Sequence, residues 1–263
     1  MPEIAASLVK ELRDKTSQSM MECKKALQAT GGDMQAAMDL LRKRGLVDAQ
    51  KKAARTTKEG LIGLATGPGS VAMVEVVCES DFCARNDIFR KTVQQVADMA
   101  LAGPDGRIQA IPAITEAVQA AFAKISENMK YTRGVKISAP QIGTYLHHNG
   151  KVGVLVGIDG QLPAETLADL CMHIAFTDPM AISTDQIPPD VVAKEKAFAT
   201  EQAKESGKPA NIAEKMVTGK LNKFLAENAL LEQPFVKDDK KKVKEILGTA
   251  KITAFARFAV GQV

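Results

Sequence analysis

Tryptophan is absent from these 263 residues, tyrosine occurs twice, and all aromatic residues together make up 4%. With no aromatic interleaving and no single dominant basic stripe, a net charge of +4 is not an argument for nucleic acid. Long apolar runs are missing too. No stretch approaches the roughly 18 residues that a membrane helix needs, and the opening Met1-Pro2-Glu3-Ile4 lacks the basic and apolar regions of a secretion signal. The expected location is therefore cytoplasmic.

Cysteine is sparse and unpaired in sequence. Cys23, Cys78, Cys83 and Cys171 form no Cys-x-x-Cys pair, so they read as reduced, buried thiols and not as zinc ligands. The three histidines, His147, His148 and His173, read as structural. Gly67-Pro68-Gly69-Ser70 lacks the Lys-Ser/Thr ending of a phosphate loop. Dinucleotide fingerprint, nucleophile elbow and His–carboxylate constellation are all missing. These absences point away from an enzyme and from any cofactor or metal, and toward an interaction protein.

What is present is a strand-to-helix junction around which the chain is organised. Val71 to Cys78 is apolar and β-branched, breaks off into Glu79-Ser80-Asp81-Phe82, and is followed by a helical pattern with its apolar face at Phe89, Val93, Val96 and Ala100. Two placements of Phe82 are open. A helix already running at Phe82 would set its ring seven residues before Phe89, on the same buried face. If instead Asn86 caps the helix and Asp87 complements its first turn, Ser80 to Arg85 is a loop presenting an acid beside an aromatic.

Before the junction, apolar spacing predicts three short helices, marked by Ile4, Leu8 and Leu12, by Met20, Cys23 and Leu27, and by Met34, Ala37, Met38 and Leu41. Gly31-Gly32 ends the second, Asp33 caps the third, and Gly45 after Arg42-Lys43-Arg44 is read as its stop. Met20 and Met21, near a helix start, suit partner docking. Asp48 to Thr57 is the natural linker, free to continue helical before it opens into a joint, and the basic clusters at Lys51-Lys52-Arg55 and Lys240-Lys241-Lys242-Lys244 read as solvated faces or linkers.

Leu61 to Ala65 should pair with Val71 to Val77 as a hairpin, followed by helices at about 86–102 and 114–128 and a strand at 131–137. The order then repeats. Gly143 to His148 and Lys151 to Ile158 are joined by Asn149-Gly150, which predicts a type I′ turn; Pro163 opens a helix burying Leu167, Leu170, Cys171 and Ile174; and Lys251 to Val260 alternates as a closing strand. Into the second unit is inserted an Ala-, Lys- and Glu-rich stretch at about 190–225, broken only at Ser206-Gly207-Lys208-Pro209. It reads as an antiparallel helical hairpin, a short coiled coil with a thin core that projects toward a partner or a second copy.

Several separated motifs resemble one family. Ile4-Ala5-Ala6-Ser7-Leu8-Val9-Lys10-Glu11-Leu12-Arg13 and Met20-Met21-Glu22-Cys23-Lys24-Lys25-Ala26-Leu27 resemble the amino-terminal domain of translation elongation factor Ts. Ser80-Asp81-Phe82-Cys83-Ala84-Arg85-Asn86 is similar to that family's Thr-Asp-Phe-Val-Ala-Lys-Asp motif, and Ser206-Gly207-Lys208-Pro209, Ile212 to Val217 and Gln233-Pro234-Phe235-Val236 resemble its later signatures. The resemblance spans essentially the whole chain. It implies an α+β protein with an N-terminal three-helix, UBA-like docking domain at 1–55, core subdomains at 56–140 and 141–263, and the helical hairpin as an insertion in the last. It also implies a guanine-nucleotide exchange factor for elongation factor Tu, with Ser80, Asp81, Phe82 and Cys83 as the segment that dislodges Mg²⁺ from the partner, no nucleotide site of its own, and possible dimerisation of the complex. From the residues alone, a ribosome- or RNA-associated adaptor remains the competing class.

Overall fold

The computed structural model describes residues 4–16, 18–52 and 54–262, with the backbone alone for 46–51. It divides into two compact units. Unit 1 comprises Met1–Lys136, His147–Lys151 and Phe258–Val263; unit 2 comprises Ile137–Leu146 and Val152–Arg257. The architecture is mixed helix and antiparallel sheet, as expected for an α+β chain.

Unit 1 opens with helices α1 (Ala6–Thr16), α2 (Met20–Ala29) and α3 (Met34–Lys52). Val9, Leu12, Cys23, Ala26, Leu27, Ala37 and Leu41 form their small core, with Ile4, Leu8, Met34 and Met38 partly buried against it. The predicted punctuation is largely present. Gly31 takes φ 64° and the Gly32 amide donates to the Leu27 carbonyl at 2.8 Å, ending α2, while Asp33 Oδ1 accepts from the Ala36 amide at 2.9 Å and starts α3. Gly45, however, does not stop α3, which continues to Lys52. A helix-interior glycine costs only about 1 kcal/mol, and at the end of the helix Lys52 Nζ donates to the Ser126 carbonyl at 2.6 Å and lies 5.6 Å from the Phe122 ring centre.

Strands β1 (Glu59–Gly67) and β2 (Ser70–Cys78) then form the predicted hairpin, registered from Glu59 opposite Cys78 to Gly67 opposite Ser70. After the junction, α4 (Asp81–Arg85) and α5 (Asp87–Leu101) are followed by β3 (Gly106–Ile108), α6 (Pro112–Ile125) and β4 (Met129–Ser138). The sheet order is β1-β2-β4-β3. Val74, Val76 and Cys78 point into a core closed by Phe89, Val93, Val96, Ile114 and Phe122. The opposite face of β2 carries Met73 and Val77, with the fully buried Glu75 between them.

Unit 2 contains β5 (Gln141–Leu146), β6 (Val152–Asp159), α7 (Ala164–Thr177), α8 (Pro189–Glu205), α9 (Ala210–Asn228), β7 (Pro234–Phe235), β8 (Asp238–Lys242), α10 (Val243–Ile246) and most of β9 (Lys251–Ala259). Its main sheet has the order β5-β6-β9, matching β1-β2-β4. A glycine marks the same place in both. A Cβ on Gly63, opposite Val74, would stand 2.8 Å from Val93 of α5; one on Gly143, opposite Val156, would stand 2.6 Å from Cys171 Sγ of α7. In each sheet the first strand gives up its side chain so that the following helix can sit on the hairpin.

The Asn149-Gly150 turn departs from the type I′ expectation, since Gly150 takes φ 71° while Asn149 keeps a negative φ. The loop is longer than two residues. The Gly150 amide donates to the His147 carbonyl at 2.7 Å, Asn149 Oδ1 accepts from the Lys151 amide at 2.9 Å, and the Gly150 carbonyl accepts from the Ile62 amide at 2.8 Å. That last bond, on an edge of β1, favours the five-residue loop over a tight two-residue turn.

Helices α8 and α9 form the predicted antiparallel hairpin, joined through Ser206 to Pro209. Only Ala199 and Ala203 are buried along α8 and none along α9, whereas Val191, Val192, Phe224 and Leu225 at its base pack on Ala181, Ile187 and Ala229. Among the described residues, no helix is long and apolar enough to cross a membrane.

Candidate functional site

The junction is built by two successive caps. Ser80, extended at φ −127° and ψ 159°, accepts the Cys83 amide on its hydroxyl at 3.1 Å and starts the single turn of α4. Asn86 ends α4 and starts α5, its Oδ1 accepting the Ile88 amide at 2.8 Å. Asn86 is therefore the cap of the long helix, as one reading of the sequence required. The segment Ser80 to Arg85 is not the loop that this reading expected, because the Ser80 cap closes it into a helical turn.

This turn resolves the position of Phe82. A helix is running there, but Asn86 at ψ 134° breaks its register with α5, so the seven-residue alignment with Phe89 does not form. Cys83 and Ala84 take the inward positions, at 2% and 5% exposure, and Phe82 is left 81% exposed. Asp81 lies beside it, 46% exposed at its side chain and 3.2 Å from Arg85 Nη2. An exposed i,i+4 pair of this kind contributes about 0.3–0.5 kcal/mol, so Asp81 can readily exchange partners. Of the four residues assigned from the motif, Asp81 and Phe82 form a surface, Ser80 holds the turn, and Cys83 is core.

Three polar groups that sequence reasoning did not single out hold the junction from below. Glu127 accepts the Ser80 amide on Oε2 at 3.1 Å and the Ser80 hydroxyl on Oε1 at 2.8 Å. Glu79 accepts the Asn128 amide at 2.5 Å and lies 3.4 Å from Arg55 Nη1, while Asn128 Nδ2 donates to the Arg55 carbonyl at 2.8 Å. The available signal was a short polar stretch, Ser126-Glu127-Asn128, between a helix and a strand. Beneath the turn, Cys78 Sγ donates to the Ser80 carbonyl at 3.3 Å. Its hydrogen bond to Cys83 and then its burial push the Cys78 thiol well above the ordinary range. All four cysteines are free and buried, as expected.

Met20 and Met21, 42% and 62% exposed, stand on the first turn of α2, which Ser19 caps through the Glu22 amide at 3.3 Å. They are separate in the chain from the junction and share with it only their exposure. The described cations of the basic clusters stay solvated while they pair at the surface; the side chain of Lys51 lies outside the described residues. Lys52 and Arg55 make the contacts given above, Lys241 lies 3.3 Å from Asp238, and Lys242 and Lys244 both reach Glu232, at 2.7 and 2.8 Å. Their hydrogen bonds hold the Glu232 carboxyl below its ordinary pKa.

His173 is fully buried. Its Nε2–H donates to Gln233 Oε1 at 2.9 Å and its Nδ1 accepts the Val236 amide at 3.3 Å, so the ring is neutral, and burial lowers its pKa from 6.5. A cleft of about 520 Å³ in unit 2 is lined by Asp169, Asp238 and Phe235, but the two acids already face Lys237 and Lys241. Among the described residues, no group of three or more His, Cys, Asp or Glu is placed to hold a metal.

Residues 79–262 match the family described as Elongation factor TS. The chain is 42% identical over 272 residues to Elongation factor Ts of Thioalkalivibrio sulfidiphilus, covering 98% of this chain and 92% of that relative. The same identity, over 285 residues, holds for Elongation factor Ts of Brucella ovis and of Brucella canis, covering 98% of this chain and 93% of each relative.

Proposed function

The chain belongs to the elongation factor Ts family, and we propose that its Asp81–Phe82 pair is the part that opens the nucleotide site of the partner GTPase. Membership makes it a guanine-nucleotide exchange factor for elongation factor Tu, acting in translation elongation. Exchange requires no chemistry on a substrate of its own, so the factor is not an enzyme and needs neither a cofactor nor a nucleotide site.

The observation that carries the assignment is the 81% exposure of Phe82 on a turn capped at both ends. Magnesium bound to a nucleotide is held by few protein ligands plus phosphate oxygens and retains much of its water, so small displacements of those ligands weaken it disproportionately. Burying the Phe82 ring in the partner contributes about 2 kcal/mol toward such a displacement. A thousandfold loss of GDP affinity needs about 4 kcal/mol of coupling. The remainder comes from the wider interface. Linkage makes the effect reciprocal: GDP or GTP weakens the factor by the ratio in which the factor weakens the nucleotide, and incoming GTP releases it.

In this reading residues 1–55 are a docking domain that uses Met20 and Met21, residues 56–140 carry the wedge, and residues 141–263 grip a second surface of the partner. The α8–α9 hairpin is a projecting coiled coil, suited to a further contact or to dimerisation of the complex. The protein works in the cytoplasm. An RNA-associated adaptor is not favoured by these relatives.

The test is stopped-flow release of a fluorescent GDP from elongation factor Tu. Phe82→Ala should slow factor-stimulated release roughly thirtyfold, the equivalent of about 2 kcal/mol, and leave the melting of the factor unchanged. Stimulated release equal to that of the unaltered factor refutes the wedge.

A further inference from the structure

The exposed turn is held from beneath by a carboxylate that carries no charge partner among the ion pairs described. Helix α6 ends at Ile125, and Ser126 takes the left-handed conformation at φ 63°, with its amide on the Phe122 carbonyl at 2.7 Å. The next residue is Glu127, whose two oxygens take both donors of Ser80, the amide at 3.1 Å and the hydroxyl at 2.8 Å.

This arrangement does more than fasten two segments. A hydroxyl rotor has one proton and two lone pairs. Because the Ser80 proton is committed to Glu127, the oxygen presents lone pairs to the Cys83 amide, which it accepts at 3.1 Å. The chain Cys83 N–H to Ser80 O–H to Glu127 carboxylate runs in one direction, and each bond polarises the next. Glu127 thus orients the cap of α4 through the hydroxyl of Ser80. Phe82 lies between the two ends of that cap.

We propose that Glu127 is a positioning residue for exchange: it fixes the direction of Asp81 and Phe82 by orienting the Ser80 cap, without touching the partner's nucleotide itself. The inference rests on the wedge reading of Phe82. It predicts a particular division of effect. Losing the tie leaves the ring and the docking surface in place but lets the turn adopt several orientations, so the factor still binds and its saturating action falls.

The assay is GDP release from elongation factor Tu over a range of factor concentrations. Glu127→Ala should lower the rate at saturating factor about tenfold and change the half-saturating concentration less than about threefold. Glu127→Gln keeps one acceptor oxygen and should recover part of the rate. Ser80→Ala should resemble Glu127→Ala, and the double substitution should cost little more than either alone.

Thermal melting followed by circular dichroism accompanies each variant. A loss of rate that disappears when the folded fraction is matched overturns the proposal, as does additive behaviour of the two single variants. Phe82→Ala is run alongside. If Phe82→Ala slows release and Glu127→Ala does not, positioning by Glu127 is wrong and the wedge stands. If neither slows release, the wedge reading itself fails.

Discussion

Removing the carboxylate of Glu75 should be among the most damaging single changes to unit 1. This residue sits in β2, five positions before the Ser80 cap, and is 0% exposed. Its Oε2 lies 2.6 Å from Arg133 Nε of β4, and its Oε1 accepts the Gly261 amide at 2.8 Å. Arg133 also donates through Nη2 to the Ala259 carbonyl at 3.1 Å and lies 4.4 Å from the Phe258 ring centre. One carboxylate therefore joins the strand leading to the Ser80 turn, its neighbour in the sheet, and the segment after β9. Glu75→Ala leaves a guanidinium without its counter-ion and the Gly261 amide without its acceptor. Breaking a buried pair from one side costs about 3–5 kcal/mol. The Arg133 side chain is 19% exposed and can gain some water, which places the expected loss near the lower figure, about 3 kcal/mol. For a chain of this size that corresponds to a fall in Tm of about 6–12 °C. Urea unfolding followed by far-ultraviolet circular dichroism should show the loss; with two transitions, it should fall on the one assigned to unit 1. Adding Arg133→Met to Glu75→Leu should recover most of it, because an apolar pair imposes no desolvation penalty. A single variant within about 1 kcal/mol of the parent, or a double variant no more stable than Glu75→Leu alone, would refute the argument.

Two further outcomes follow from unit 2. The folded pKa of His173 lies below its ordinary 6.5, so over the window beneath 6.5 the unfolded chain binds more protons. The associated stability is therefore complete above that pH and is lost as the pH falls below it; urea midpoints measured from pH 8 to pH 5 should decline, with a shallower decline in His173→Gln, and parallel profiles would exclude His173 as the source. Gly143→Ala would place a Cβ 2.6 Å from Cys171 Sγ and 2.8 Å from both Leu167 Cδ1 and Val156 Cγ1, and should destabilise by about 1–3 kcal/mol in the same assay. An unchanged midpoint would mean that α7 can withdraw from the β5–β6 hairpin without cost.

The elements legible in the sequence are those whose signals are local. Both hairpins, the α5 and α7 core faces and the caps at Asp33 and Asn86 follow from periodicity and from side chains bonding to amides a few residues away. Gly45 was misleading because a lone glycine inside a helix costs only about 1 kcal/mol, and the Lys52–Ser126 contact beyond it, spanning 74 positions, leaves no local signal. The type I′ reading of Asn149-Gly150 failed for the same reason, the bond from Ile62 being a long-range one. At the site, Asp81 and Phe82 were identified by motif, but spacing alone left the direction of Phe82 undecided. Their support was hidden, since the partner of Ser80 lies 47 positions further on.

On the proposed reading of Phe82 as a wedge, its mounting explains why a one-turn helix serves where a loop would not. Burying Phe82 in a partner yields about 2 kcal/mol. Fixing the backbone of a free residue costs about 1–2 kcal/mol, so ordering even the few residues around Phe82 on binding would consume more than the ring provides. In this structure that cost is met during folding, by the Ser80 and Asn86 caps above and by Glu127, Glu79 and Asn128 below. What this turn leaves exposed is an apolar ring, which water tolerates, and Asp81 in a weak exposed pair with Arg85. The junction is therefore ordered in the free protein, and on the proposed wedge reading the energy of inserting the ring is available to displace the partner's own groups.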